Sequence, residues 1–131
     1  MIPLIVHEGG VHWLMVCVNV ELSVIEVIDP SGVEHSQVCS DVLRWLKAEG
    51  EANKGKCDWH VRKWCVQHTF AHTQQKNMYD CGVFVLGYIR ALVASRHYGS
   101  FQQQGCLQMR HDVFQWIVHG TGPLSEGTCC V

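Results

Sequence analysis

The residues Gln74 to Leu92, QQKNMYDCGVFVLGYIRAL, set a cysteine behind a polar loop at the start of an apolar segment, which is how a thiol nucleophile is mounted. Val83, Phe84, Leu86, Ile89, Leu92 and Val93 recur at helical spacing, so the segment after Gly82 is expected to be a helix with one buried face. Asp80 suits the N-cap position. Cys81 then sits at the unpaired amides and positive dipole end of that helix, where the thiolate, the form that attacks carbonyls, is favoured. Position alone is weak grounds for catalysis, because a cysteine opening a helix is more often a small apolar filler. The decision rests on what else the chain supplies.

A cysteine nucleophile needs a base, a group that orients the base, and donors for the oxyanion. His12 stands before Trp13 at the head of the apolar run Leu14 to Val18, and Asp29 ends a second run, Val24 to Ile28, ahead of the turn Pro30-Ser31-Gly32. If these runs are antiparallel neighbours joined around Asn19 to Leu22, the far ends of the hairpin coincide and His12 meets Asp29. Gln75, six residues before Cys81, carries a side-chain amide able to reach a carbonyl oxygen under attack.

The order His-Trp, then Asp after a hairpin, then Q-x-N-x-x-D-C-G resembles the ubiquitin-like-protein-specific cysteine proteases, the SUMO (sentrin) protease family related to the adenoviral protease. The resemblance makes His12 the general base, Asp29 its orienting partner, Gln75 the oxyanion-hole side chain and Cys81 the nucleophile. It implies that Trp13 lines the tunnel over the substrate's C-terminal glycines. Gly10-Val11 before His12, and Phe101-Gln102-Gln103 followed by Met109-Arg110 and Ile117, match the family as well, the latter its last helix. The resemblance extends to about Gly120, giving an expected catalytic domain over residues 1–120 and a flexible tail over 121–131.

The chain departs from the family in two places. Family members usually carry a longer portion before the His-bearing strand, with further substrate contacts, so the domain is expected to be N-terminally shortened. Pro30 stands where many relatives have Ser, and a proline there supplies neither hydroxyl nor N–H.

A chain of 131 residues with a 47% apolar share suits one domain with a real core. Ten Lys and Arg against 12 Asp and Glu leave a net charge of −2, so there is no basic field for nucleic acid. The opening IPLIVHEGG is interrupted by His7 and Glu8 too early for a signal peptide, and no apolar run reaches membrane length. A monomer without cofactor, intracellular in nucleus or cytoplasm, is expected. Its eight cysteines are then reduced thiols, with Cys17 and Cys39 as core fillers and Cys129-Cys130 as exposed thiols.

Val38, Val42, Trp45 and Leu46, with Ser36 as cap, predict an amphipathic packing helix to about Glu49, followed by the polar loop EANKGK. Trp59 to Val66 alternates as a strand. Cys57-x2-His60 and Cys65-x2-His68 mimic zinc-ligand spacing, but residues three apart on a strand point to opposite faces, so no metal site is expected. Of the nine histidines only His12 has a partner set; His7, His35, His72, His97, His111 and His119 read as surface or loop residues. The central helix is expected from Gly82 to about His97, broken by Tyr98-Gly99-Ser100. A last helix follows from Phe101 to about His119, with Leu107, Val113, Phe114, Trp116 and Ile117 mostly inward.

The expected architecture is α+β, a small mixed sheet packed against a nucleophile-bearing helix in a cysteine-protease (adenain-like) fold. The expected reaction is hydrolysis of the bond after the C-terminal diglycine of a SUMO-like modifier or its conjugates, with that modifier as partner. Two other readings of the same residues are an acetyltransferase of bacterial-effector type, which shares the His-acid-Cys order, and a non-catalytic fragment that binds a ubiquitin-like protein. The Gln75-to-Gly82 motif favours the hydrolase.

Overall fold

Leu14, Met15, Val16, Cys17 and Val18 form an unbroken run in which every residue is buried, as in a strand covered on both faces. A computed structural model of the chain describes residues 1–70, 73–94 and 100–120, and in it this run is the middle of β2, His12–Asn19. The sheet has four strands in the order β1-β2-β3-β4, with β1 at Ile2–Glu8, β3 at Val24–Ile28 and β4 at Cys65–His68. β1 and β3 flank β2 antiparallel, while β4 joins β3 in parallel, so the sheet is mixed as expected. β1 lies at the sheet's edge, its side chains alternating in exposure and its Pro3 exposed.

Each face of the sheet has its own core. Leu14, Val16 and Val18 of β2 join Ile25 and Val27 of β3 beneath Val38, Cys39, Val42 and Leu46 of α1, Ser36–Ala52. Met15 and Cys17 point the other way with Ile28, against Phe84, Val85 and Tyr88 of α2, Cys81–Val93. Phe101 and the Cys106 and Met109 side chains of α3, Cys106–His119, complete that second core. The period of two along β2 thus sends alternate residues to different helices. Phe101 lies over Gly87 of α2, where a Cβ would fall inside its ring; only glycine permits that approach.

Several sequence-derived boundaries shift. Ser36 is the first residue of α1 rather than its cap, His35 occupies the cap position without a side-chain cap bond, and the helix runs past Glu49 to Ala52. Asn53 ends it, its Nδ2 donating to the Glu49 carbonyl at 3.0 Å. Only Cys65–His68 of the expected strand from Trp59 pairs with the sheet. The residues before it are held in a turn in which Val61 N–H donates to Asp58 O at 3.1 Å and Arg62 Nε to Asp58 Oδ1 at 2.6 Å.

α2 begins one residue earlier than expected, at Cys81, and ends at Val93. The break predicted at Tyr98 and Gly99, like His72, His97 and the tail 121–131 with Cys129 and Cys130, lies outside the described residues. The last helix begins at Cys106, after a 3-10 turn at Gln103–Gly105, not at Phe101. Its inward stripe is Cys106, Met109, Val113 and Trp116. Leu107, Phe114 and Ile117, expected to face inward, are 81%, 58% and 79% exposed, because two neighbouring apolar stripes run along α3 and only one meets α2. Among the described residues no helix is long and apolar enough to cross a membrane.

Candidate active site

The β2–β3 register pairs Asn19 with Val24 and Met15 with Ile28, so the strand ends carrying His12 and Asp29 come together. His12 Nε2 lies 2.9 Å from Asp29 Oδ1, the contact expected from the hairpin. Beyond β3 the chain turns sharply. Gly32 N–H donates to Asp29 O at 3.0 Å, and Gly32 takes the left-handed φ of +72° that glycine adopts without strain. Ser31 N–H donates to Asp29 Oδ1 at 2.5 Å, so the donor that Pro30 lacks is supplied one residue later.

Asp29 is buried, and burial pushes its carboxyl pKa upward. Hydrogen bonds from His35, Ser31 and His12, together with the charge of His12, outweigh that and hold it below the ordinary carboxylate value. His35, read from sequence as a surface or loop residue, is instead buried, with Nε2 on Asp29 Oδ2. Its Nδ1 lies 2.7 Å from Glu8 Oε2, at the end of β1. Four side chains therefore form a chain: Glu8, His35, Asp29, His12. A lone histidine six residues after Asp29, in a turn without periodicity, carries no sequence signal that would have singled it out.

Cys81 is buried as the first residue of α2. It lines an open groove of about 610 Å³ with Trp13, Gly82 and Leu86, walled further by Val11, Met78, Tyr79 and Arg110. Trp13 lies across the first turn of α2: a Cβ on Gly82 would stand 3.5 Å from its Cδ1. The ring of His7 stacks on the Trp13 ring with centroids 4.1 Å apart.

Asp80 does not cap α2 through its side chain. Its carboxylate instead accepts from Asn77 Nδ2 at 2.7 Å, Gln103 Nε2 at 2.6 Å and Arg110 at 2.6 Å. Burial pushes its pKa up, but the bonds from Asn77, Arg110 and Gln103 bring it below the ordinary value. Gln103 Oε1 accepts from Lys76 N–H at 2.7 Å, so one amide side chain joins the residue after Gln75 to the residue before Cys81. The sequence marked Gln103 and Arg110 only as matches to a last helix.

Gln75 is tethered to the Asp29 turn, its N–H donating to Pro30 O at 2.8 Å. Its Nε2 makes a long 3.3 Å bond to Ser31 Oγ, and its Oε1 is buried with no hydrogen-bond partner among the described residues. Tyr88 Oη donates to Thr73 O at 2.9 Å, fastening the same segment to α2. The structure thus brings His12 and Asp29 into contact, seats Gln75 against the Asp29 turn, and places Trp13 and Cys81 in one groove.

His12, Asp29 and His35 present ligand atoms within 4.8 Å of one another. The 2.9 Å separation of His12 and Asp29 is shorter than the edge of about 3.3 Å between ligands of a tetrahedral zinc ion, which fits hydrogen bonding better than metal ligation. Among the other thiols, burial pushes Cys39 up, and burial with the neighbouring Asp80 carboxylate pushes Cys106 up to about 11.

Relatives share both sequence and fold. The chain is 28% identical to sentrin-specific protease 3 of Mus musculus over 109 residues, 83% of this chain and 19% of the relative. It is 29% identical over 89 residues to a ubiquitin-like-specific protease of Arabidopsis thaliana, 68% of this chain and 18% of the relative. The chain therefore spans about a fifth of the length of these relatives. The solved C-terminal Ulp1 protease domain in complex with Smt3, the yeast ortholog of SUMO, superposes with a TM-score of 0.71 at 17% identity, covering 88% of this chain and 51% of that one. A structure of SUMO protease Ulp1 with its catalytic cysteine oxidized to a sulfonic acid gives 0.73 at 18% identity, over 90% of this chain and 52% of that one. The family described as the Ulp1 protease family, C-terminal catalytic domain, matches residues 1–115, and the chain belongs to that family.

Proposed function

We propose that the chain is a cysteine peptidase that hydrolyses the bond after the C-terminal diglycine of a SUMO-like modifier, in its precursor or its conjugates. The observation that carries this reading is the 2.9 Å bond between His12 and Asp29, formed at the strand ends where the family order His, Asp, Gln, Cys requires it. With Nε2 engaged by Asp29, Nδ1 is the ring nitrogen left to take the Cys81 proton. The sulfur attacks the carbonyl carbon, and the oxyanion is held by the Cys81 N–H and the Gln75 amide, which gives up its long bond to Ser31 Oγ. The imidazolium passes its proton to the departing amine, leaving a thioester. Water, deprotonated by His12, attacks the thioester, and the sulfur leaves as thiolate. Trp13, lying over the first turn of α2, forms one wall along which an extended glycine tail would run.

Relatives named sentrin-specific and ubiquitin-like-specific proteases support the substrate class. The test is turnover of SUMO, NEDD8 and ubiquitin precursors with C-terminal extensions, read by mass spectrometry. Release of the extension after the diglycine of SUMO is expected. Intact precursors together with acetyl transfer from acetyl-coenzyme A would assign the residues to a transferase instead.

A further inference from the structure

His35 has a carboxylate oxygen opposite each ring nitrogen, Asp29 Oδ2 at Nε2 and Glu8 Oε2 at Nδ1, 2.7 Å away. An ionised carboxylate only accepts, so both nitrogens must donate, and a ring with two N–H groups is an imidazolium. The ring is buried at 7% exposure, and a buried cation requires paired anions of this kind. We propose that His35 is a positioning residue for the His12–Asp29 pair: a buried imidazolium, anchored by Glu8, that fixes the Asp29 carboxylate and offsets its field at His12. The proposal rests on the peptidase reading for its catalytic consequence, though not for its geometry.

Two effects follow. Asp29 Oδ1 accepts from His12 and Ser31 while Oδ2 is pinned by His35, so the carboxylate cannot turn and the direction it offers to His12 is set. The His35 and His12 rings lie nearly parallel, 5.9 Å between centroids and 16° between planes, so the cation faces His12 directly. It makes His12 take a proton less readily and release it to a leaving group more readily. Among the described residues, the charged and titratable groups around this pair include Glu8 from β1, Asp29 after β3, Glu34 beside His35 in the chain, and Tyr88 from α2. Tyr88 stays neutral, because burial and then Asp29 push its hydroxyl pKa above the ordinary value.

The test is nitrogen-15 NMR of the histidine rings in the wild-type chain and in His35→Gln and Glu8→Gln. His35 is expected to carry protons on both nitrogens at pH 7. In His35→Gln the His12 titration is expected to move to higher pH, because the cation facing its ring is gone. Should that buried substitution unfold the chain, Glu8→Gln, at a part-exposed site, still decides. There His35 is expected to release its Nδ1 proton at lower pH than in the wild type. A His35 ring with one bare nitrogen at pH 7, or a His12 titration unmoved in His35→Gln, would overturn the proposal. These readouts need no substrate. If no modifier is cleaved, the peptidase reading fails while the NMR still decides the His35 assignment; if one is cleaved, the acid limb of kcat/KM should follow the His12 shift.

Discussion

Asp29 shows how much one side chain is asked to do: it receives His12, Ser31 and His35 while buried at the end of β3. Cys81→Ser should abolish turnover, because the hydroxyl lacks the acidity the mechanism needs. Gln75→Ala should lower kcat by about 10²–10³, the usual loss for one oxyanion donor, with the fold retained by circular dichroism. Unchanged kcat would remove the Gln75 amide from the oxyanion site. The pair His12 and Asp29 was legible because both residues flank apolar runs that a short link can join as an antiparallel hairpin. His35 and Glu8 were not, because their meeting depends on how a turn and an edge strand fold over the hairpin, and no spacing encodes that. Asp80 was legible as a helix-starting residue, but its carboxylate serves Asn77, Gln103 and Arg110 rather than the helix amides.

At the scale of elements, β2, β3 and α2 were visible as apolar runs of the right period, and their pairing followed from the short link between the strands. The strand expected from Trp59 failed because alternation there reflects a turn fixed by Asp58 and Arg62, with pairing confined to Cys65–His68. The inward face of α3 was misread because Leu107, Phe114 and Ile117 form an apolar stripe as regular as that of Met109, Val113 and Trp116. Two element-scale outcomes are expected. Gly87→Ala should destabilise the chain by about 1–3 kcal/mol in urea unfolding, since the new methyl would overlap the Phe101 ring. Gln103→Ala, which frees Lys76 N–H and Asp80, should lower kcat by up to about 10²-fold with less change in KM, the signature of lost positioning.

For the whole molecule, helical layers on both faces of a mixed sheet hold a histidine pair and a carboxylate at the strand ends and Cys81 in a groove beside Trp13, and charge ties these residues to stability. Asp29 and Asp80 titrate below the ordinary 3.8 in the folded chain. Their contribution is therefore complete above that value and is lost as pH falls through their lower folded values. On the acid side the melting temperature should therefore fall as the pH drops below about 4, and Asp80→Asn should flatten that fall. The central claim is that Cys81 is the nucleophile. Its most direct test is reaction of the chain with SUMO bearing a C-terminal electrophile, followed by peptide mapping of the adduct. A single adduct on Cys81, absent from Cys81→Ser, is predicted, with Cys17, Cys39 and Cys106 left as buried thiols. An adduct on exposed Cys65, or one that persists in Cys81→Ser, would contradict the account.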